Sequence, residues 1–326
     1  MPTEYHEITD RESWLALRRQ DITSTEASAL FGLSPYSTQY ELWHQKHGLL
    51  DDEIDDNERM AAGRHLEPAI ASLVAERFGV KVVPFKVYAR DPDQRMGSSF
   101  DFQIIGHEYD AASELADHVD RYGTGILEIK NIDFLAHRDR WTKDECPDHI
   151  EVQLQHQLEL TGYEWGAIVA LVGGNKIWTY IRMRDQSVGR AIRAKVAEFW
   201  SLTSPPPAVM PDDADAIIAL HQFADAGEVL DARNDAELEM LVQDYQRIGR
   251  EITDLENIRK ERKASILQRI GSASKVVLSI GSISAGQVAD TPPTVITAEM
   301  IGQTYGGRAG YRGLRFTAAK KKEVAA

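Results

Sequence analysis

Apolar positions along the chain follow two periods, and the switches between them mark out the elements. Residues 24–47 read as helical, with Ser24 or Thr25 as the cap and Gly32 with Pro35 breaking the run into two pieces. Leu66, Ile70, Leu73, Val74 and Phe78 keep steps of three and four, which predicts a helix over about 61–78 ending at Gly79. The period then shortens to two. VKVVPFKVYAR (80–90, with a proline irregularity), MGSSFDFQIIG (96–106) and GILEIKNIDF (125–134) read as strands. An acidic segment, HEYDAASELADHVDRYGT, separates the last two. A helix over 149–161 follows, then a hairpin, AIVALVGGNKIWTYIRM, turning at Gly173-Gly174-Asn175, then a helix over 185–201.

SPPPAVMPDD breaks the chain and is its clearest boundary signal. The expected organisation is an α/β domain over 1–204, a linker with a short helix over 205–232, a helical hairpin or coiled-coil-like arm over 233–270, and a small β-containing, basic segment over 271–326. In the arm, Leu238, Leu241, Tyr245, Ile248, Ile252 and Leu255 alternate steps of three and four, as a coiled-coil seam does. The seam weakens at Arg259 and Arg262.

Composition narrows the chemistry. The single cysteine, Cys146, excludes a disulfide framework and any cluster on four thiolates, and suits a reducing cytoplasm. No apolar run of 18 or more residues predicts a membrane span, and the polar N-terminus does not read as a signal peptide. A net charge of −14 argues against broad nucleic-acid binding. Yet basic residues cluster locally, at Arg18-Arg19, Arg138 to Lys143, Arg182-Arg184, Arg190 to Lys195 and in the tail, from Arg308 to Lys322. Carboxylates that hold a metal also count as negative without repelling DNA once loaded.

Alternation along GILEIKNIDF puts Leu127 and Ile129 on one face, and Glu128 and Lys130 on the other. Asp101 sits at the end of the preceding strand, where a hairpin brings it beside Glu128. Converging carboxylates repel unless a hard cation such as Mg²⁺ joins them. Lys130 projects to the same spot, where it can orient or help deprotonate an attacking water, or offset charge on a phosphate. That pattern is suited to metal-assisted phosphodiester hydrolysis. Glu67, before Pro68, offers a further carboxylate. Gln153, beside a leucine stripe, offers an amide for a phosphate or a metal-bound water, and Gln155 lies on the same helix. Cys146 and His149 carry no oxyanion signature, and no glycine-rich P-loop occurs, so hydrolysis is expected to run without ATP.

RRQDITSTEASALFGLSPY, GRHLEP, SFD, LEIK and EVQLQHQLELTG occur in that order over roughly residues 10–202. Together they resemble the YqaJ-type viral recombinase and lambda-exonuclease family of the PD-(D/E)XK nucleases. The resemblance implies an α/β, restriction-endonuclease-like core, a mixed central sheet flanked by helices. It implies a phage- or prophage-encoded enzyme of the host cytoplasm that digests duplex DNA ends 5′ to 3′ and leaves 3′ overhangs for a single-strand-annealing partner. It makes Asp101, Glu128, Glu67 and the Ile129 carbonyl ligands of Mg²⁺, with Mn²⁺ as a substitute. It makes Lys130 the catalytic lysine, Gln153 a further site residue, and Arg18 and Thr25 the holders of a 5′ phosphate. It also implies a ring of three or four subunits. Phe100 stands where the superfamily name has proline, and Thr25 replaces the more usual serine. Two other functions fit these residues: an endonuclease or nickase on the same metal site, and a non-catalytic DNA-processing adaptor with a nuclease-like fold.

Overall fold

The computed structural model describes residues 3–51, 58–221, 228–289 and 315–318. They fall into two units, Met1–Ala226 and Gly227–Ala326, each taken here by itself. The first opens with β1 (Glu4–Glu7), α1 (Arg11–Gln20) and the short β2 (Ile22–Thr23). Asp10 caps α1, its side chain accepting the Ser13 amide at 2.7 Å. The break expected at Gly32 and Pro35 is present. The piece before it is a 3₁₀ turn, Ala27–Phe31, and the piece after it is α2 (Gln39–Lys46), capped by Thr38. α3 (Glu58–Phe78) buries Ile70, Ala71 and Val74, whereas Leu66 and Leu73 stay 37% and 43% exposed. The stripe is narrower than the spacing predicts, because one edge of α3 meets the strands beneath it.

Two of the expected strands are each divided. VKVVPFKVYAR becomes β3 (Val80–Pro84) and β4 (Val87–Asp91), and MGSSFDFQIIG becomes β5 (Met96–Ser99) and β6 (Phe102–His107). β4 and β5 pair in a four-stranded sheet ordered β1-β4-β5-β2, while β3 and β6 pair in a five-stranded one. The chain crosses between sheets at Phe85-Lys86 and again at Phe100-Asp101. Asp101 stands at the second crossing. The acidic segment holds α4 (Glu114–Tyr122), capped by Ser113, with Leu115 and Ala116 buried against the core.

β7 (Gly125–Ile132), α5 (Phe134–Arg140), α6 (Asp148–Thr161), β8 (Trp165–Val172) and β9 (Lys176–Met183) complete the five-stranded sheet, ordered β3-β6-β7-β8-β9. β7 and β8 run parallel; the other pairs are antiparallel. β8 is buried along its whole length, as a central strand covered on both faces must be. β7 feeds two cores. Leu127 and Ile129 join Ile70, Val74 and Leu115; Ile126 and Ile132 join Leu154 and Leu158 of α6. This is the mixed α/β sheet between helices that the resemblance implies.

α7 (Gln186–Ser201) follows, and the first unit continues past the expected boundary at 204 to Ala226. The buried Asp213, just before α8 (Ala214–Leu220), accepts the Thr38 hydroxyl and the Val209 amide, the latter at 2.6 Å. Residues 205–221 are therefore tied into this unit rather than serving as a free linker. In the second unit, α9 (Ala236–Ile270) is one continuous helix of 35 residues, without the turn a hairpin needs. β10 (Lys275–Leu278), β11 (Gly281–Ser284) and β12 (Arg315–Ala318) form an antiparallel sheet. Arg308, Arg312 and Lys320 to Lys322 of the basic end lie outside the described residues. Among those described, no helix is long and apolar enough to cross a membrane.

Candidate active site

β6 pairs antiparallel with β7, Phe102 opposite Leu127, so the next residues out are Asp101 and Glu128. Asp101 Oδ2 accepts the Ile129 amide at 2.8 Å, which ties the sheet crossing to β7. Glu128 is only 2% exposed. Its Oε1 accepts Lys130 Nζ at 2.7 Å and Gln153 Nε2 at 2.7 Å; its Oε2 accepts Gln157 Nε2 at 2.9 Å. Lys130 Nζ also donates to Gln153 Oε1, at 3.1 Å. Both Glu128 oxygens and Lys130 Nζ therefore have partners, as buried charge requires, while the Gln157 Oε1 is buried without one. Gln153 and Gln157 are one turn apart on α6 and share a face, while Leu154 and Leu158 anchor the helix in the core.

Charge in this cluster is uneven. Burial, then Glu128, pushes the Asp101 carboxyl well above the usual carboxylate range. Burial and Glu128 also raise Glu67, with Lys130 and Arg64 opposing. Burial works against the Lys130 ammonium, but Glu128 and Asp101 outweigh it and its pKa rises. Three carboxylates thus crowd one ammonium, a balance that an added cation improves. Among the described residues no three His, Cys, Asp or Glu side chains form a ready-made metal cage. Mg²⁺ does not need one. It is commonly held by one or two carboxylates, with water and substrate phosphate completing its shell. Asp101, Glu128, Glu67 and the Ile129 carbonyl are the donors available here.

Arg18 and Thr25 are placed differently. The Arg18 guanidinium lies 4.8 Å over the Trp14 ring and donates to Glu26 at 3.2 Å. Lys46 Nζ bonds the same carboxylate at 2.8 Å and the Arg18 carbonyl at 2.8 Å. Burial raises Glu26, but Lys46 and Arg18 outweigh it and the carboxyl is held low. Thr25 is exposed, with its hydroxyl 3.1 Å from that of Thr23. β2 pairs with β5, and Ser98 donates to Ser24 at 2.8 Å. The neighbouring Ser99 carbonyl accepts Gln157 Nε2 at 3.3 Å. A short chain of contacts therefore joins the hydroxyl-rich turn to the group that holds Glu128.

Sequence reasoning missed Gln157, Glu26 and Lys46. The signal for Gln157 was its four-residue spacing from Gln153. Nothing periodic marks a pair such as Glu26 and Lys46. Gln155 faces away from the site, bonding the Met183 carbonyl at 2.9 Å and the Asp185 amide at 2.8 Å. Burial pushes the Cys146 thiol up, and it donates to Glu151 at 3.2 Å, which fits an inert packing role. Tyr36, 81% exposed, meets His149 edge-on at 5.7 Å.

Residues 13–164 match the YqaJ-like viral recombinase domain. An uncharacterized protein YqaJ of Bacillus subtilis strain 168 is 29% identical over 195 residues, which are 59% of this chain and 56% of the relative; the chain spans about half the length of that relative. Two crystal structures of an alkaline exonuclease, LHK-Exo of Laribacter hongkongensis, one of them with dAMP, share 18% and 20% identity. Each match covers 59% of this chain and 91% of theirs, with a TM-score of 0.45. The motifs on β6, β7, α3 and α6 lie within the stretch over residues 13–164 that is similar to the YqaJ-like viral recombinase domain.

Proposed function

We propose that the chain is a metal-dependent deoxyribonuclease that digests linear duplex DNA from the 5′ end and leaves 3′ overhangs. The observation that carries this reading is the crowding of Asp101, Glu128 and Glu67 around one half-buried ammonium, Lys130. Asp101, Glu128, Glu67 and the Ile129 carbonyl would hold Mg²⁺ or Mn²⁺, which when bound acidifies a water and offsets phosphate charge. Glu128 and Asp101 favour the protonated form of Lys130 Nζ, which suits it to neutralise and orient beside the phosphate. Gln153 shares Glu128 Oε1 with Lys130 and fixes the direction of both. Arg18 and Thr25 would receive the 5′ phosphate, which the planar guanidinium suits. The match to a viral recombinase domain supports a DNA substrate and a phage or prophage origin. The chain would work in the host cytoplasm beside an annealing protein, as a ring of subunits.

The test is a time course in Mg²⁺ on end-labelled linear duplex with a 5′ phosphate or a 5′ hydroxyl, beside nicked and closed circles. The expected result is digestion of linear duplex alone, faster from the 5′ phosphate, abolished by Asp101→Ala or Glu128→Ala. Arg18→Ala should shrink the phosphate preference, while Arg19→Ala should not. Cutting of closed circles with equal rates on both ends would move the assignment to an endonuclease. Full activity in Asp101→Ala would remove the site altogether.

A further inference from the structure

We propose that α9 is a self-association element, pairing antiparallel with α9 of a second copy of this chain. Its apolar seam is exposed from Leu238, at 39%, through Tyr245, at 82%, to Leu255, at 64%, and only Ile266 near its end is half-buried. Written as heptads, Leu238, Tyr245, Ile252, Arg259 and Ile266 occupy the a positions. Leu241, Ile248, Leu255, Arg262 and Arg269 occupy the d positions, so the register runs unbroken through the helix. A seam this long and regular is the surface that a two-stranded coil buries.

Charge identifies the occupant and its direction. The apolar seam residues crowd the first part of α9, and the seam arginines all lie in the second. The g positions of the first part are Glu237, Asp244 and Glu251. In a parallel pair each seam arginine meets its own copy, and Glu251 faces Glu256 of the second strand, so like charges meet twice. Reversing one strand at full overlap removes both conflicts. Arg269 then faces Leu238 beside Glu237, Arg262 faces Tyr245 beside Asp244, and Arg259 faces Ile248 near Glu251. Leu241 faces Ile266, and Ile252 faces Leu255 next to the two-fold axis. Asp244 and Glu251 already meet Arg247 of their own helix, at 3.2 and 2.7 Å, but these are exposed pairs that a seam arginine can share. Arg262 over Tyr245 adds a cation–π contact. The helix is complementary to its own reverse, so the partner that its chemistry fits is a second copy.

This inference is independent of the nuclease reading, and its test does not use DNA. The molar mass of the full chain is measured by light scattering at tens of micromolar, for wild type, Ile248→Glu/Ile252→Glu and the outward-facing control Asn257→Glu. The expected result is an even-numbered assembly whose mass the seam variant halves and the control leaves alone. Orientation is read separately, in case the double variant misfolds. Leu238→Cys and Arg269→Cys proteins are mixed and oxidised. Antiparallel pairing joins position 238 of one chain to 269 of another, and the buried Cys146 stays out of the reaction. A monomeric wild type, a mass unchanged in a folded seam variant, or links joining 238 to 238 would overturn the proposal.

Discussion

Lys130 donates to a carboxylate two residues away on the same strand, and most of the candidate site follows from that local fact. Strand alternation made Glu128 and Lys130 legible in the sequence, because two charges on one face of an apolar strand need a reason. Antiparallel pairing with β6 made Asp101 legible in the same way. Gln157 was hidden because a glutamine beside leucines on a helix looks like a solvated position. Arg18 stood out in the sequence as a candidate, but its partners Glu26 and Lys46 did not, since contacts across a loop leave no period to read. The site's economy gives a sharp expectation for Lys130. Glu128 retains two glutamine donors without it, so Lys130→Ala should leave much of the cation affinity intact. Turnover on linear duplex should fall by roughly 10²-fold, the scale of a positioned charge or acid–base group. Calorimetry with Mg²⁺ beside the cleavage assay checks both halves. Parallel loss of affinity and rate would mean that Lys130 only shapes the carboxylates.

At the scale of the element, α6 bears the heaviest load, with its amides on Glu128 and its leucines in the core. Between Gln155 and Gln157 it also buries His156 completely, and burial pushes that imidazole down to about 4. An unfolded histidine titrates near 6.5. Above that pH neither state binds the proton. As pH falls, the unfolded chain takes it up first and stability drains away, until the folded pKa is passed. The loss attributable to His156 should therefore accumulate between pH 6.5 and 4, to about 3 kcal/mol from a shift of this size. Urea unfolding of wild type and His156→Gln across that range measures it. A wild-type curve as flat as the variant's would show that the ring is hydrated or paired in solution. Elsewhere the elements were unevenly legible. The hairpin of β8 and β9 announced itself by alternation and Gly173-Gly174-Asn175. α4 did not, because its acids masked the pattern of Leu115, Ala116, Val119 and Tyr122. The splits into β3 and β4, and into β5 and β6, were also missed. A chain can leave one sheet for another without a change of period, and only the pairing partners reveal it.

For the whole molecule, the decisive feature is where the first unit ends. Proline clustering marked a boundary near residue 204, since composition reports where regular structure stops. It does not report what a later residue grips. Asp213 shows the difference. It is fully buried, accepts the Thr38 hydroxyl, and so reaches back to the cap of α2. Thr38 uses the same oxygen to accept the Glu41 amide at 3.0 Å. The loop before Thr38 carries Tyr36, which meets His149 on α6. A chain ending at Ala226 keeps this latch, and a chain ending at Thr203 loses it. Both retain Glu67, Asp101, Glu128, Lys130 and Gln153, so both keep the candidate chemistry if they fold. The longer should unfold cooperatively and cleave linear duplex in Mg²⁺. The shorter should be less stable by about 1.5–3 kcal/mol, the worth of a hydrogen bond to a charged group. Asp213→Ala in the longer chain should reproduce most of that loss, because it removes the acceptor and keeps the segment. Both lack α9, so both should run as smaller assemblies than the full chain if that helix joins copies. Chemical denaturation and light scattering on the three proteins separate the contributions. Equal stability of the two truncated chains would show that the latch adds nothing and return the boundary to residue 204. An unchanged subunit number would place assembly in the first unit instead.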